Sequence, residues 1–329
     1  MKTELRTSLS QKKTLIIISL ICLLSGVLCI VFGQLLLPLT ISTLACIFIF
    51  EDEKRRYFGY TLSGLLVILN AAALVLKLSV SFFSIQAIIV AALIAISFVK
   101  QSSKAETAFL LTVISSIFIV ASAVFLAMTE TGVYTIDSVV DFYNNLSKSL
   151  REVFSVNAFN IYGDAFATAG VKVTVEDFGL IFDSFLGTVI SYIVIFAFGV
   201  VGVSFKLFSI ITARVAKDVV PLYKWRFMTT NVFAYFYVAL VFLSIFIPAT
   251  DSIFALTIDN TYNIFMTIYA YVGFNVAVSI LSAKMKPVFA ILVVFAAMLT
   301  LFSFAVSVLS LLGVMFTIRK NGELIRKEE

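Results

Sequence analysis

Long apolar segments dominate this chain and constrain its fold more than any other feature. About nine of them follow one another, at 14–33, 35–50, 57–76, 79–99, 107–128, 178–205, 228–248, 261–282 and 287–317. A helix needs roughly 20 apolar residues to cross a bilayer. The segments are continuous rather than alternating, which favours helices over strands. We therefore expect an all-α fold, a polytopic transmembrane helical bundle with 8–10 spans.

The composition favours hydrocarbon over water as the solvent of this chain. Hydrophobic residues make up 61% of the 329 residues, charged residues only 13%, and the mean hydropathy is +1.09. Soluble domains carry about 25% charged residues, so a soluble enzyme and a disordered chain are both excluded. The chain has no histidine and no CxxC pair among its three cysteines. We therefore expect neither a metal site nor a cofactor.

Positive charge predicts how the chain is oriented in the membrane. With the N-terminus in the cytoplasm, sixteen Lys and Arg residues flank inner ends of segments and only four flank outer ends, as the positive-inside rule requires. We expect a multi-pass protein of the cell membrane with a cytoplasmic N-terminus.

The basic tail conflicts with a count of nine spans, because nine spans would place its positive charges outside. Segment 287–317 either bends near Ser303 into two short helices, which returns the tail to the cytoplasm, or crosses as one steep helix; the tail's charge favours the bend.

The sequence divides into four regions. They are an N-terminal five-segment membrane block (1–128), an extracytoplasmic loop (129–177), a C-terminal membrane block (178–318) and a basic tail (319–329). The loop has a net charge of −4, and its apolar residues recur at helical spacing from Ile136 to Phe154. This pattern predicts an amphipathic helix that lies on the membrane or caps the bundle, or that forms a lid or docking surface over an outward-facing site. Residues 157–170 predict another short helix, and Thr174-x-x-Asp177 predicts the start of the sixth span.

Polar residues inside apolar segments are the best candidates for a functional site, because polarity is expensive in a membrane. After Asp259, the eighth segment carries a polar residue every four positions, which makes one slowly turning stripe along a helix. The stripe either provides hydrogen bonds between helices or lines a polar cavity. Asp183, near the outer end of the sixth segment, either snorkels to the interface or caps that cavity. The candidate ligand-binding residues are Asn263, Thr267, Tyr271, Asn275, Ser279 and Asp183. A lone amide in the third segment, Asn70, is expected to be a satisfied packing contact.

The cytoplasmic link before the seventh segment holds the only tryptophan of the chain. Its Lys224, Trp225 and Arg226 either anchor the chain at the membrane boundary or dock a partner protein or lipid headgroups. No P-loop, GxSxG or HExxH motif occurs, so we do not expect an enzyme. The positive charges are spread along cytoplasmic loops, so nucleic acid is not an expected partner. The expected partners are the lipid bilayer, a small-molecule ligand and a cytoplasmic protein.

The order of these elements resembles a known family. A string of Pro221, Tyr223, Lys224, Trp225 and Arg226 follows the long sixth segment, and a Leu-Leu-Gly run at 311–313 precedes the basic tail. In these features the chain resembles the YybS-like family of uncharacterised bacterial integral membrane proteins. Such proteins look distantly like the substrate-binding subunits of energy-coupling-factor transporters. The resemblance implies a helical bundle that holds a small ligand and docks a partner on its cytoplasmic side.

Two functional hypotheses follow from the sequence. The preferred one is a membrane protein that binds a small molecule or helps to transport it, without catalytic activity of its own. The alternative is a membrane scaffold or regulatory protein that docks partner proteins or lipid in envelope processes. A water-accessible cavity beside Tyr271 and Asn275 would favour the first hypothesis.

Overall fold

The computed structural model describes residues 9–50, 56–78, 81–100, 104–215, 230–246, 253–300 and 302–328. Throughout these ranges the regular structure is helical, which confirms the all-α prediction. One 3-10 turn, Gly33–Leu35, joins the first two helices. The α-helices are α1 (Leu9–Phe32), α2 (Leu37–Phe50), α3 (Arg56–Val75), α4 (Phe83–Lys100), α5 (Lys104–Thr131), α6 (Ile136–Thr168), α7 (Val175–Gly187), α8 (Val189–Val215), α9 (Asn231–Phe246), α10 (Ile253–Ser282), α11 (Pro287–Thr300) and α12 (Phe302–Glu328).

Five stretches of these helices are long and apolar enough to cross a membrane. They are Thr14–Phe32, Phe58–Val75, Thr107–Thr131, Val189–Ala213 and Ile253–Ser282. Four shorter apolar helices accompany them, at Leu37–Ile49, Phe83–Val99, Asn231–Phe246 and Val288–Met298. This set of helices fits a membrane protein.

The chain forms two compact units. The first comprises Met1–Asp183 and Phe196–Arg226, and the second comprises Ser184–Ile195 and Phe227–Glu329. In the first unit α2 is the innermost helix, because ten of the eleven residues from Leu37 to Ile47 are buried. Pro38 lies in the first turn of α2, where its missing N–H leaves no helical hydrogen bond unmade.

Buried hydroxyl groups tie α2 to its neighbours in the first unit. The Thr40 hydroxyl donates to Ser25 Oγ on α1 at 2.9 Å, and the Ser42 hydroxyl donates to the carbonyl of Ser204 on α8 at 2.8 Å. Hydrocarbon offers no strong hydrophobic drive between helices, so close packing and such hydrogen bonds hold them together. They fix the position of α2 against both helices.

Residues 129–177 contain one long helix where two were expected. Helix α6 runs for 33 residues through both predicted stretches, because no proline interrupts it and Gly163 is tolerated inside it. It ends where Gly170 adopts a φ of +78°, with hydrogen bonds from Gly170 N to Ala167 O and from Val171 N to Phe166 O. This is the Schellman arrangement that a glycine at this position allows. The Tyr143 hydroxyl fastens α6 to α5 by donating to the Ala123 carbonyl at 2.7 Å.

The second unit is built around a close contact between α10 and α12. A Cβ atom on Gly273 would overlap the Leu309 carbonyl, and one on Gly313 would overlap the Tyr269 carbonyl. The two glycines thus let the backbones touch, as small residues do in membrane bundles. Because Tyr269 lies opposite Gly313 while Gly273 lies opposite Leu309, α10 and α12 run antiparallel.

Aromatic rings complete the core of the second unit. Tyr237 of α9 stacks on Tyr269 with ring centroids 5.1 Å apart and on Tyr262 at 6.0 Å. Its hydroxyl bonds to Ser310 Oγ of α12 at 3.0 Å. Aromatic pairs of this kind contribute about 0.5–1.5 kcal/mol beyond area burial. The cluster therefore joins α9, α10 and α12.

Two helices, α11 and α12, lie on the described parts of the last apolar segment, and the bend expected near Ser303 stays a prediction. The side of the membrane on which the basic tail lies also stays a prediction. Since α12 runs antiparallel to α10, its C-terminal end lies beside the N-terminal half of α10, away from the turn at 283–286. The close contact at Gly273 and Gly313 aligns α12 with α10.

Candidate functional site

The predicted polar stripe lies on the part of α10 that its own unit leaves open. Asn263, Thr267 and Tyr271 are half-buried, whereas Asn275 and Ser279 are exposed. The buried residues of α10 occupy a different face, which includes Tyr269 and Gly273 at the α12 contact. The polar residues are therefore not the surface through which α10 packs on α12.

Two stripe residues bond to their own helix. The Thr267 hydroxyl donates to the Asn263 carbonyl at 2.9 Å, and Asn275 Nδ2 donates to the Tyr271 carbonyl at 2.8 Å. Such local bonds supply partners for the donors without a second helix. These two contacts do not support the interpretation that the stripe is glue between helices, because both run within α10.

Asp183 lies in the first compact unit and belongs to an ion-pair group that the sequence analysis missed. Arg151 of α6 bonds through Nε to both Asp183 oxygens at 3.0 and 3.1 Å, and through Nη2 to Glu176 Oε1 at 2.6 Å. Its guanidinium lies over Gly179, where a Cβ would come within 2.6 Å of Nη2. Glu176, Gly179 and Asp183 stand three and four residues apart, on one face of α7. This spacing is the signal in the sequence that indicates a binding face for an arginine side chain.

The electrostatics of this group are those of a partly exposed ion pair. The two carboxylates raise the pKa of Arg151 above its ordinary value, first through the bond to Glu176 and then through Asp183. The Arg151 side chain is 30% exposed, and that of Asp183 is 46% exposed. Solvent therefore weakens the attraction. The group fastens α6 to α7, and Asp183 is committed to Arg151 in this structure.

The start of α7 follows the predicted motif. Thr174 N and Oγ1 both donate to Asp177 Oδ2 at 2.7 Å, and Asp177 N donates back to Thr174 Oγ1 at 3.3 Å. This reciprocal pair is a capping box, and it confirms that a helix begins after Thr174. Hydrogen bonds from Thr174 hold the pKa of Asp177 below its usual range.

A buried amide interrupts the sixth apolar segment, which is two helices rather than one. Gly187 and Ser191 are four residues apart, so a direct bond between them would continue the helix. Instead, Asn260 Oδ1 accepts from Ser191 N at 2.9 Å, and Asn260 Nδ2 donates to the Gly187 carbonyl at 2.7 Å. One side chain inserted in the ladder satisfies both backbone groups at the break between α7 and α8.

Asn260 was not predicted as a functional residue from the sequence. It directly follows Asp259 but lies about 100° from the stripe around the helix axis, so a search at intervals of four passes over it. Its side chain is only 7% exposed. An amide directly before the start of an apolar segment was the available signal in the sequence.

A second polar cluster lies within the first unit, around the ends of α1, α3 and α4. Asn70 Nδ2 donates to the Ser81 carbonyl at 2.8 Å, and Asn70 Oδ1 accepts from the Ser84 hydroxyl at 2.9 Å. Asn70 is thus the satisfied packing contact that the sequence predicts. Beside it, Gln34 Nε2 donates to Gln86 Oε1 at 3.1 Å. Neither glutamine was recognised from the sequence, although Gln86 interrupts the fourth apolar segment.

The remaining candidates concern partner docking and metal binding. Lys224, Trp225 and Arg226 lie outside the described residues. Within the described part of the chain, His, Cys, Asp and Glu side chains form no group of three or more that could hold a metal ion. Cys22, Cys29 and Cys46 are buried free thiols.

Comparison with known proteins adds no relative. No protein-family model matches the chain, and no curated protein or solved structure matches it at a significant level.

Proposed function

We propose that this chain is a multi-pass protein of the cell membrane that binds a small polar molecule, or helps to transport it, without catalytic activity of its own. Five long apolar helices and four shorter ones overlap the nine apolar segments, which supports a count of nine membrane segments. The distribution of Lys and Arg supports a cytoplasmic N-terminus. In this proposal, residues 129–177 form the outer loop.

The observation that carries the proposal is the position of the polar stripe. Asn275 and Ser279 are exposed on a helix that packs on α12 through another face. Polar side chains are expensive next to lipid and are retained in membrane helices where they meet water, protein or a ligand. The stripe therefore has the properties expected of a surface that contacts a polar solute.

Cysteine reactivity tests whether water reaches the stripe. The native cysteines are buried, so an introduced cysteine is labelled over a low background. Ser279→Cys and Asn275→Cys are expected to react with a charged methanethiosulfonate faster than Ile280→Cys. Ile280 is the matched control because it is 57% exposed and adjacent to Ser279, but lies off the stripe. Equal rates at 279 and 280 would contradict a polar pathway along this face.

Thermal unfolding tests binding itself. The detergent-solubilised protein is heated with a panel of sugars, amino acids and nucleosides, because a ligand at 100 times its Kd stabilises the folded state by about 2.7 kcal/mol. A stabilising compound is expected to lose its effect in a Thr267→Val/Asn275→Leu variant. A panel without any stabilising compound, together with slow labelling of the stripe, would count against the proposal.

One observation favours the scaffold alternative. Helix α6 leaves large apolar side chains uncovered outside the proposed membrane segments, among them Ile136 at 77%, Val153 at 59% and Ile161 at 67% exposure. Exposed apolar patches often mark sites for protein or membrane contact. Crosslinking from α6 in cells, followed by affinity capture, tests this alternative. Recovery of one specific protein would support the scaffold, whereas crosslinks to lipid alone would assign α6 to the membrane surface.

A further inference from the structure

The Gln34–Gln86 pair in the first unit leaves hydrogen-bonding capacity unused in a buried place. Gln34 Nε2 donates to Gln86 Oε1 at 3.1 Å and approaches Ser81 Oγ at 3.5 Å. The other two amide atoms, Gln34 Oε1 and Gln86 Nε2, are buried without a partner. Gln86 is fully buried, at 0% exposure.

Unpartnered amide atoms of this kind are costly. A buried donor or acceptor that lacks a partner loses its hydration without compensation, and most buried polar groups in folded proteins avoid this state. Rotating both amides by 180° exchanges their roles but again leaves one donor and one acceptor unsatisfied. The requirement for an additional donor–acceptor group is therefore a property of the pair itself.

The surroundings define what that group is. The polar side chains of the cluster, Asn70, Ser81 and Ser84 together with the two glutamines, are all uncharged. Asn70 bonds to Ser81 and Ser84, which fixes the cluster around the glutamines. An ion would meet no opposite charge from these side chains, and burying an unpaired charge is far more expensive than burying a neutral polar group. The site therefore selects a neutral occupant.

The position of the pair offers a route to it. Gln34 belongs to the 3-10 turn between α1 and α2 and is half-buried, and Ser81, in the link between α3 and α4, is also half-buried. Both turns lie at ends of apolar helices, where a solute in water reaches the protein first.

We propose that Gln34 and Gln86 form a binding site for a small uncharged molecule that carries both a hydrogen-bond donor and an acceptor, such as a carboxamide or an alcohol. The molecule accepts from Gln86 Nε2 and donates to Gln34 Oε1. This site lies in the first unit and is distinct from the α10 stripe, so either can fail without the other.

Acetamide is the probe for this site, and acetate and methylammonium are its charged controls. Saturation-transfer NMR on the full-length protein in nanodiscs reports contact with each probe. Acetamide is expected to give a saturable signal, and the two ions are not. A signal from all three probes, or from none, would overturn the proposal; the latter is the result expected if only water occupies the site.

Variants locate the signal. A Gln34→Met/Gln86→Met protein removes both amides together, which avoids leaving one unpaired and is nearly neutral for folding. It is expected to unfold at the same temperature as the unmodified protein, or higher, and to lose the acetamide signal. Gln86→Asn keeps an amide but shortens the side chain by one methylene, which moves the amide away from the bound molecule. It is expected to weaken acetamide binding about tenfold. Thr112→Val is the matched control, because Thr112 is buried and its hydroxyl donates to the Ala108 carbonyl of its own helix at 2.7 Å. A response that persists in both glutamine variants, or disappears in Thr112→Val as well, would overturn the assignment.

Discussion

Asn260 accepts a 2.9 Å hydrogen bond from the backbone N–H of Ser191. In an unbroken helix the same N–H would donate to the Gly187 carbonyl. The same amide donates to that carbonyl at 2.7 Å. A side chain of α10 thus holds the break between α7 and α8 open. The break separates the Ser191 N–H from the Gly187 carbonyl, and the Asn260 amide stabilises the break because it pairs with both groups.

Replacing Asn260 by leucine is expected to destabilise the folded protein by about 1–3 kcal/mol, because two buried backbone groups lose their partner. Unfolding in a mixed-detergent titration measures the loss. Thr261→Val is the control, since the Thr261 hydroxyl bonds to Thr257 of its own helix at 2.7 Å. If both variants are equally stable, the amide has no structural role at the break.

Alanine at Gly273 or Gly313 is expected to separate α10 from α12 and to destabilise the protein by about 1–3 kcal/mol, the range for overpacked sites. Gly64→Ala and Gly199→Ala are the controls, and both are expected to stabilise the protein instead. Both glycines lie within helices, and a Cβ there would meet nothing within 4 Å. The higher helix propensity of alanine is therefore expected to raise the free energy of unfolding by about 0.5–1 kcal/mol. The same unfolding titration compares all four variants. Destabilisation of similar size in all of them would contradict a specific α10–α12 contact.

The capping box at the start of α7 predicts a pH dependence. Because hydrogen bonds lower the pKa of Asp177 in the folded state, its contribution to stability is complete above the pKa of the unfolded state. It is lost as the pH falls through the folded-state pKa. Thermal unfolding between pH 7 and 3 is expected to show a smaller decrease for Asp177→Asn than for the unmodified protein. Thr174→Ala is expected to cost about 0.5–2 kcal/mol at pH 7, the range for a lost N-cap. Parallel pH curves for the unmodified protein and Asp177→Asn would rule out this contribution.

The antiparallel contact between α10 and α12 predicts the side on which the chain ends. A cysteine at Ala283, in the exposed turn after α10, and a tag after Glu329 are expected on opposite sides of the membrane. With the cytoplasmic N-terminus proposed here, an impermeant maleimide labels Ala283→Cys only after permeabilisation, whereas the tag is accessible in intact cells. Asn144→Cys on α6 is the control for outer exposure. Finding Ala283→Cys and the tag on the same side would contradict the antiparallel arrangement as a membrane topology.

The sequence predicts local structure well where one element determines it. The apolar segments overlap helices, and Thr174-x-x-Asp177 begins α7, because hydropathy and capping depend on residues close together in the chain. The break at Thr188 could not be predicted, since it depends on Asn260, about 70 residues further along. The ion-pair group of Arg151 is similar, because Arg151 comes from α6 and contacts the face of α7 formed by Glu176, Gly179 and Asp183.

The candidate site was predicted only in part. The interval of four located the stripe correctly on one side of α10, but it did not indicate that α12 packs on another side. That contact requires Gly273 and Gly313 to meet, and each is unremarkable alone in its segment. Gln34 and Gln86 are likewise 52 residues apart, so their pairing appears only when α1, α2 and α4 are assembled.

The enclosure of α2 has a consequence for how the protein is made. Its 14 residues rise about 21 Å, well short of a hydrocarbon layer about 30 Å thick, and nearly every side chain from Leu37 to Ile47 is buried by other helices. A helix with so little lipid contact gains little from partitioning alone. During synthesis, α2 is therefore expected to leave the insertion machinery together with α1 as a hairpin, and to reach its final depth only once α4 has emerged to cover it.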